Sequence, residues 1–236
     1  RSGDIEVVHN GVDYEGIRAV EPADADWDIV YVGRLSEHKR VGMLLRAVAH
    51  LADEHDRRVE CCIIGDGPEY DRLVPLASNL GVDDRVTFKG FVEEDETVFA
   101  NMKAADVFVL PSVREGFPNT VLEANACGLP AVLVDADANG GAAIVEDGEN
   151  GYVVAPNATA IADQVATVLN DPDLRDDLVE SCRAFAQAHD WETIASETAS
   201  VSRWASAWLS RWASAWLSRW ALGSASRSGP LSTGRA

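Results

Sequence analysis

Lysine is scarce in this sequence and long apolar runs are absent. Only three lysines, Lys39, Lys89 and Lys103, stand among 20 basic residues, against 39 acidic residues and a net charge of −19. Such an acidic chain disfavours nucleic acid as a partner. It favours a high-salt, halophilic cytoplasm, where salt screens charge repulsion, over an ordinary acidic protein. No run approaches the ~20 apolar residues of a membrane-spanning helix, and no segment resembles a signal peptide, so we expect a cytoplasmic protein.

Cysteine is also sparse, and its spacing fits no metal-binding or disulfide framework. Cys61 and Cys62 are adjacent within an apolar run, whereas Cys127 and Cys182 are isolated. Cysteines in this arrangement are typical of buried free thiols in a reducing compartment. We therefore expect neither a disulfide nor a cysteine-bound metal.

Short β-rich runs alternate with helical patterns along most of the chain. The predicted strands are 28–33, 59–65, 85–90, 106–112 and 131–136. The predicted helices are 39–55, 68–80, 93–104, 118–127, 157–170 and 172–188. Continuous apolar strands separated by helices predict a parallel sheet covered on both faces. The fold class is therefore α/β, a doubly wound Rossmann-like parallel sheet, followed by a C-terminal helical tail.

The pattern divides the chain into four predicted segments. These are an interdomain linker at 1–27, the Rossmann-like domain at 28–200, a Trp-rich helix at 201–222 and a disordered, low-complexity tail at 223–236. Because VVHNGVD at 7–13 is typical of the exit from an earlier domain, we expect a fragment or a split gene product.

The Trp-rich segment repeats the octad SRWASAWL without change at 202–209 and 210–217. Its tryptophans recur every fourth residue and would form an aromatic stripe, interspersed with arginines, along a helix. One interpretation is an interfacial helix that holds the protein at the periphery of a membrane. The alternative, which the short repeat length favours, is a recent tandem duplication that lengthened a terminal helix.

Glycine-bearing or polar loops follow all five predicted strands. The carboxyl ends of parallel strands form the ligand crevice of an open sheet. The loops contain Gly33-Arg34, Gly65-Asp66-Gly67, Gly90-Phe91-Val92, Ser112 to Glu115, and Gly140-Gly141. Their convergence on one edge predicts a binding site there.

A basic cluster and two carboxylates stand out at this edge. In GRLSEHKR at 33–40, Arg34 and Lys39 come at the opening of a helix, whose N-terminus favours anions, so they predict a diphosphate site. Surface pairing of these cations with Glu37 is the alternative. Glu115 and Glu123 are separated by seven residues, across a helix start marked by Pro118 and Asn119. Their side chains could lie up to about 10 Å apart, the scale of a nucleotide sugar.

Histidines contribute little to this pattern. His38, near the phosphate loop, could add a hydrogen-bond donor. The other histidines are interpreted as ordinary surface or packing residues: His9, His50, His55 and His189.

Five motifs occur in an order that carries a family resemblance. They are GRLSEHKR, GDGPE at 65–69, FKGFV at 88–92, PSVREGFPNTVLEANACGLP at 111–130 and NGGAAIVEDGENGYVV at 139–154. Over residues 7–200 the chain resembles the C-terminal, nucleotide-sugar-binding half of GT-B, family-4-type (group 1) retaining glycosyltransferases. The resemblance implies transfer of a hexose from a nucleotide-diphosphate sugar to an acceptor, with retention of configuration. It implies no metal, and no cofactor besides the donor substrate.

The resemblance also implies roles for individual residues. Arg34 and Lys39 match the basic pair that neutralises the donor diphosphate, and Glu115 matches the carboxylate that holds donor-sugar hydroxyls. These three are the predicted catalytic residues. Glu123 matches the carboxylate that accepts hydrogen bonds from the ribose. The other predicted donor-binding residues would line the phosphates, sugar or base: Gly33, Gly65, Asp66, Gly67, Val92, Gly116, Phe117, Pro118, Asn119 and Thr120.

The chain also departs from the family pattern. Arg40 replaces the usual glycine after Lys39. The acceptor-binding N-terminal domain is not in this sequence, so we expect the chain to bind donor but to transfer little alone, with a missing or separately encoded acceptor domain as partner.

The sequence also allows other functions, some of which fit the motifs less well than glycosyl transfer. A GT-B-like nucleotide-sugar epimerase and a non-catalytic nucleotide-sugar-binding module are the alternatives. A two-carboxylate glycosidase would not need the basic pair. Asp135-Ala136-Asp137 resembles a metal-binding DxD motif of a different glycosyltransferase fold, but a loop-end or capping role is favoured.

Overall fold

A computed structural model describes residues 10–201 of the chain. The strands are β1 (Trp27–Val32), β2 (Cys61–Ile64), β3 (Val86–Gly90), β4 (Ala105–Leu110), β5 (Arg114–Glu115), β6 (Ala131–Val134), β7 (Ala138–Asn139) and β8 (Gly151–Val154). The α-helices are α1 (Tyr14–Ala19), α2 (Val41–Glu54), α3 (Tyr70–Asn79), α4 (Asp95–Lys103), α5 (Asn119–Cys127), α6 (Ala158–Asn170), α7 (Pro172–Ala188) and α8 (Trp191–Val201). Short 3₁₀ helices form at Glu37–Lys39 and Gly140–Ala143.

Six strands form one parallel sheet in the order β3-β2-β1-β4-β6-β8. This is the doubly wound Rossmann order. The first three strands are added toward one edge of the sheet and the later strands toward the other edge, so the order reverses between β1 and β4. Ligands of such sheets bind outside the carboxyl ends of the strands at that reversal. The predicted fold class is therefore confirmed. The predicted crevice lies at the carboxyl ends of β1 and β4, where the strand order reverses.

The sheet is buried because helices cover both faces. Every residue of β2 and β6 is buried. Helices α2, α3 and α6 pack together on one side, and α1, α4, α5 and α7 form the other layer. The continuous apolar runs in the sequence are thus explained by strands that meet helices on both faces.

Several elements were not predicted from the sequence. Helix α1 forms within the segment predicted as a linker, and Asp13 caps it by accepting a 2.9 Å hydrogen bond from the amide of Gly16. Tyr14 and Ile17 of this helix join the hydrophobic core. Strand β8 extends the sheet to six strands, and β5 pairs with β7 in a separate two-stranded ribbon.

Two buried asparagines connect α5 to the loop before β8. The Nδ2 of Asn125 donates to the carbonyls of Leu129 and Asn150, each at 3.0 Å. The Nδ2 of Asn150 in turn donates to Oδ1 of Asn125 at 3.0 Å and to the carbonyl of Ile144 at 2.9 Å. Neither side chain is exposed, so this amide pair fixes the helix against the loop away from the solvent-exposed surface.

All four cysteines are free and buried, as predicted. Burial raises the pKa of Cys127 and of Cys182 to about 12, so both remain protonated thiols at neutral pH.

The chain divides into a compact unit of His9–Trp191, which holds the sheet and its helices, and a second unit. Of the second unit the structure describes residues 192–201, which belong to α8. No helix within residues 10–201 is both long and apolar enough to cross a membrane. The predicted Trp-rich helix and the predicted disordered tail lie outside the described residues, and the predicted domain boundaries stay predictions.

Candidate functional site

The loops at the carboxyl edge of the sheet are joined to one another by backbone hydrogen bonds. The first loop bonds to the second, the second to the third, and the fourth to the first. The bonds run from the amide of Gly33 to the carbonyl of Ile64 (3.0 Å), from Leu35 to Asp66 (3.0 Å), from Gly65 to Gly90 (2.8 Å) and from Val113 to His38 (3.0 Å). The predicted convergence of these loops is therefore confirmed, and the loops form one connected surface.

Two glycines permit close contacts that no other residue could make. A Cβ atom on Gly65, whose φ is +138°, would lie 1.9 Å from the carbonyl oxygen of Gly33. A Cβ atom on Gly140 would lie 1.9 Å from the carbonyl oxygen of Gly116. Because real Cβ contacts are never this short, glycine at these two positions is what lets the loops approach.

A cavity of about 720 Å³ opens between the first three loops and α4. The predicted site residues that line it are Gly33, Arg34, Gly65, Asp66, Gly67, Val92 and Glu123. Residues that the sequence analysis did not assign to the site complete the lining: Val32, Ile64, Phe91, Asp95, Val98 and Phe99. The volume suits a ligand of nucleotide size.

The unassigned lining residues had a recognisable sequence signal. Helix α4 follows the third loop directly, so its first turn, including Asp95, faces the same edge of the sheet. Phe91 lies in that loop and is 76% exposed at the cavity. An exposed aromatic ring at a cavity offers a flat surface against which a planar group can stack.

Arg34 lies on the exposed side of the first loop and lines the cavity. Its carbonyl accepts a 3.1 Å hydrogen bond from the hydroxyl of Tyr31, which is fully buried beneath it. Burial, with a smaller contribution from Glu115, raises the pKa of Tyr31 far above its ordinary value. Tyr31 is therefore a neutral donor that fixes the backbone of the first loop. Among residues 10–201, no carboxylate forms a salt bridge with the Arg34 guanidinium.

Lys39 pairs with Glu115, which the sequence assigned to a different part of the ligand. The Nζ of Lys39 donates to Oε1 of Glu115 over 2.6 Å, and the two side chains are only 17% and 10% exposed. The alternative of a surface pair between Lys39 and Glu37 is therefore wrong. Residue Arg40, next to Lys39, has φ +53°, a left-handed conformation that glycine adopts more readily than other residues.

Glu115 is held by the ribbon of β5 and β7, where it is paired with Asn139. The buried Nδ2 of Asn139 donates to the carbonyls of Ser112 at 3.1 Å and Val134 at 2.8 Å, and its Oδ1 accepts from the amide of Gly141. One side chain thus positions the loops after β4 and β6. The sequence analysis missed Asn139, although its place beside Gly140-Gly141 was a signal.

Glu123 lies on α5 and lines the cavity together with Asp95. Burial, with a smaller contribution from the negative charge of Asp95, raises the pKa of Glu123 to about 7. Glu123 is consequently a carboxyl group that changes charge near neutral pH.

The two glutamates lie in different surroundings. Glu123 is on the helix, as predicted, whereas Glu115, predicted in the entering loop, lies in the two-residue strand β5. Five predicted site residues between them lie outside the cavity lining, three in the β5–α5 connection and two in the first turn of α5: Gly116, Phe117, Pro118, Asn119 and Thr120. Asn119 begins α5 and its Oδ1 accepts a 3.1 Å hydrogen bond from Asn10.

Two groups of side chains contain possible metal ligands. Asp135 and Asp137 are exposed, and the amide of Asp135 donates to the carbonyl of Val154 at 2.7 Å where β6 ends, which agrees with a loop-end role. Within residues 10–201, the group of side chains that could hold a metal ion is His50, His55 and Asp163, which is separate from the cavity lining.

The chain is similar to known proteins in sequence. The family model described as "Glycosyl transferases group 1" matches residues 13–185. The D-inositol 3-phosphate glycosyltransferase of Streptomyces bingchenggensis is 33% identical over 218 residues, covering 84% of this chain and 47% of that protein.

Solved structures share the fold. Anabaena HepE in complex with UDP matches with a TM-score of 0.71 and 25% identity, over 83% of this chain and 56% of that one. The C-terminal domain of LpcC, a glycosyl transferase group 1 family protein of Francisella tularensis, matches with a TM-score of 0.64 and 24% identity, over 75% of this chain and 97% of that one. The chain spans about half the length of the curated relatives it matches, 46% and 47% for two of them.

Proposed function

The chain belongs to the glycosyl transferases group 1 family, and from this premise we propose that it is the donor-binding half of a retaining glycosyltransferase. The donor is a nucleoside diphosphate sugar that binds at the carboxyl edge of the sheet. The observation that carries the proposal is the cavity in which the cation Arg34, three glycine-bearing loops and the carboxyl group of Glu123 face one space.

Each part of the donor has a chemically suitable partner at this edge. The base and ribose lie toward Val92 and Glu123, where a carboxyl group can accept hydrogen bonds from a diol. The diphosphate lies toward Gly33, Arg34 and Lys39, where two cations follow β1. The sugar lies toward Glu115, beyond the diphosphate. The base, ribose, diphosphate and sugar would thus extend in that order from the cavity to the β5–β7 ribbon.

The same cations supply the electrostatic part of catalysis. Breaking the bond between the anomeric carbon and the phosphate oxygen leaves both bonding electrons, and therefore negative charge, on the nucleoside diphosphate. Arg34 and Lys39 stabilise that charge as it develops, which lowers the barrier without a covalent protein intermediate. A donor phosphate oxygen takes the proton of the acceptor hydroxyl, and the new bond forms on the face that the phosphate leaves, so the configuration is retained. This chemistry requires no metal or further cofactor.

The ion pair between Lys39 and Glu115 gives the donor-free site a defined starting state. When donor binds, a phosphate oxygen replaces Glu115 as the partner of the Lys39 ammonium, and sugar hydroxyls become donors to the Glu115 carboxylate. Because each charged group exchanges one partner for another, neither is left buried and unpaired.

Transfer itself needs an acceptor-binding half, which we propose is an N-terminal domain encoded upstream or separately. UDP is the nucleotide bound to Anabaena HepE, which makes uridine the first base to test. The net charge of −19 makes high salt the first condition to test.

Calorimetric titration of the purified chain with UDP, GDP and ADP sugars, at low and high salt, tests the proposal. We expect saturable binding of one donor, lost by a factor of ten or more in Arg34→Ala. Arg58→Ala is the matched control, because Arg58 pairs with Asp84 on the exposed surface and does not line the cavity. Unchanged donor affinity in Arg34→Ala would contradict the assignment of the diphosphate site.

A further inference from the structure

Two histidines and an aspartate meet on the helical layer, outside the donor cavity. His50 lies on α2, His55 is the residue that caps α2, and Asp163 lies on α6. Their ligand atoms all lie within 4.8 Å of one another. Both histidines were predicted to be ordinary surface or packing residues, and the 108 residues between His55 and Asp163 hide this contact in the sequence.

The geometry of the three side chains is already close to that of a metal site. The Nε2 of His55 lies 2.8 Å from Oδ1 of Asp163, and the rings of His50 and His55 meet edge to face with centroids 5.9 Å apart. In a tetrahedral zinc site with bonds of about 2.0–2.2 Å, neighbouring ligand atoms are roughly 3.3 Å apart. Small side-chain rotations would therefore bring all three to one ion.

The backbones that carry these ligands are fixed by the core. Helices α2 and α6 pack against each other on one face of the sheet, with Leu51 and Ala162, the neighbours of His50 and Asp163, fully buried between them. A hydrogen bond also joins the segment after α2 to the last residue of α6, because Nη1 of Arg57 donates to Oδ1 of Asn170 at 2.9 Å. The ligands are thus supplied by a rigid frame, while the side chains stay accessible, with Asp163 57% exposed and His55 27% exposed.

We propose that His50, His55 and Asp163 bind a divalent transition metal ion, with zinc as the best match. Two neutral imidazoles and one carboxylate suit Zn²⁺, whereas Mg²⁺ and Ca²⁺ prefer sites made of oxygen ligands. The ion takes one nitrogen from each histidine and an oxygen of Asp163, and water fills the fourth position.

The site is structural and remote from sugar transfer. Helix α2 begins at the carboxyl edge of the sheet and has 14 residues, which extends about 21 Å at 1.5 Å per residue. His50 and His55 therefore lie toward the opposite end of the sheet. A metal there would join the crossover helix after β1 to the helix after β8 and so stabilise the folded chain.

The test uses the full chain after treatment with a chelator. We expect isothermal titration with Zn²⁺ to show one site per chain, and we expect the melting temperature to rise by about 5–10 °C at a Zn²⁺ concentration of 100 times Kd. Mg²⁺ at the same concentration should give no rise. Co²⁺ should give the visible absorption of a four-coordinate site.

Variants decide whether these three residues are the ligands. His50→Gln and Asp163→Asn should each lose the zinc site and the rise in melting temperature, while Asp177→Asn, an exposed aspartate on α7, should keep both. Circular dichroism confirms that each variant is folded. Equal zinc binding by the parent and both ligand variants would overturn the proposal, as would the absence of saturable zinc binding to the parent. Donor affinity should be the same with and without zinc, so this result is independent of the donor site.

Discussion

The Nζ of Lys39 donates a 2.6 Å hydrogen bond to Oε1 of Glu115, across 76 residues of sequence. The contact joins the short helix after β1 to the β5–β7 ribbon, on the two sides of the point where the sheet topology reverses. Both side chains are largely shielded from water. The proposed phosphate ligand and the proposed sugar ligand therefore neutralise each other when no donor is present.

Breaking this pair from one side should destabilise the donor-free chain. Lys39→Met leaves the Glu115 carboxylate shielded and unpaired, and we expect a loss of about 2 kcal/mol in the free energy of unfolding. The double variant Lys39→Met/Glu115→Gln removes both charges and should recover at least half of that loss. Urea unfolding of the parent, both single variants and the double variant measures the coupling. Additive losses in the double variant would show that the pair contributes nothing as a pair.

The carboxyl group of Glu123 should make stability depend on pH. Its pKa is raised from 4.5 to about 7 in the folded chain, first by burial and then by Asp95. A raised pKa means that the folded state favours the protonated form, so the stabilisation is fully present below pH 4.5 and is lost as the pH rises through about 7.

Glu123→Gln should remove this dependence. Between pH 5 and pH 8 the melting temperature of the parent should fall relative to that of Glu123→Gln, whose side chain does not ionise. Glu180→Gln, an exposed residue of α7, is the control and should follow the parent. Parallel curves for the parent and Glu123→Gln over this interval would contradict the raised pKa.

The layers of the fold could be predicted from the apolar runs in the sequence. The site could not, because it depends on contacts between residues that are far apart in the sequence. The predicted strand at 106–112 and helix at 118–127 correspond to β4 and α5, because burial on both sheet faces and a proline before the helix leave clear signals. The two-residue strands β5 and β7 are too short to show a period, and β8, unlike the fully buried β2 and β6 of the same length, has only one buried residue. Their pairing is set by the loops they join.

Charge pairing in the site was equally inaccessible from the sequence. A pattern indicates that Lys39 and Glu115 reach the same edge, but only the folded loops bring them to one hydrogen bond. Glu123 was predicted on α5, yet its pKa depends on burial and on Asp95, a residue of α4. Short motifs thus predicted which residues gather, and tertiary packing determined which of them face each other.

Gly65 should be intolerant of substitution because of a backbone contact. A Cβ atom there would lie 1.9 Å from the carbonyl oxygen of Gly33 at φ +138°, so the first two loops would have to separate. We expect Gly65→Ala to cost roughly 3 kcal/mol or more in the free energy of unfolding, and to abolish donor binding in the fraction that stays folded.

Gly81 provides a matched control for this prediction. Its φ is +67°, but a Cβ atom there would meet nothing within 4 Å. Gly81→Ala should therefore cost only about 1 kcal/mol, from the left-handed backbone alone, and leave donor binding unchanged. Equal losses in the two variants, measured by urea unfolding, would mean that the contact between the loops is not what constrains Gly65.

The amide pair of Asn125 and Asn150 should be among the most sensitive polar positions in the chain. Asn125→Leu has a similar volume but removes the donor to the carbonyls of Leu129 and Asn150, and both oxygens stay buried. The carbonyl of Leu129 then loses the Asn125 donor and the Nδ2 of Asn150 loses one of its two acceptors, while the carbonyl of Asn150 keeps the amide of Ala131 as a donor at 3.2 Å. Losing hydrogen bonds at these buried groups costs about 2–4 kcal/mol. Urea unfolding should show this loss at an unchanged m-value, because the surface exposed on unfolding stays the same.

The same substitution at an exposed asparagine shows whether the loss of stability comes from the burial of Asn125. Asn79→Leu, at the exposed end of α3, should change the free energy of unfolding by no more than about 0.5 kcal/mol. Asn125→Asp is the sharper variant, because it places a carboxylate oxygen against two carbonyl oxygens in a site that excludes water. It should therefore be less stable than Asn125→Leu at pH 8 and approach it at low pH, as the aspartate becomes protonated. If Asn125→Asp were as stable as the parent at pH 8, water would have to reach the pair, and the amides would not be the dry connection between α5 and the loop before β8.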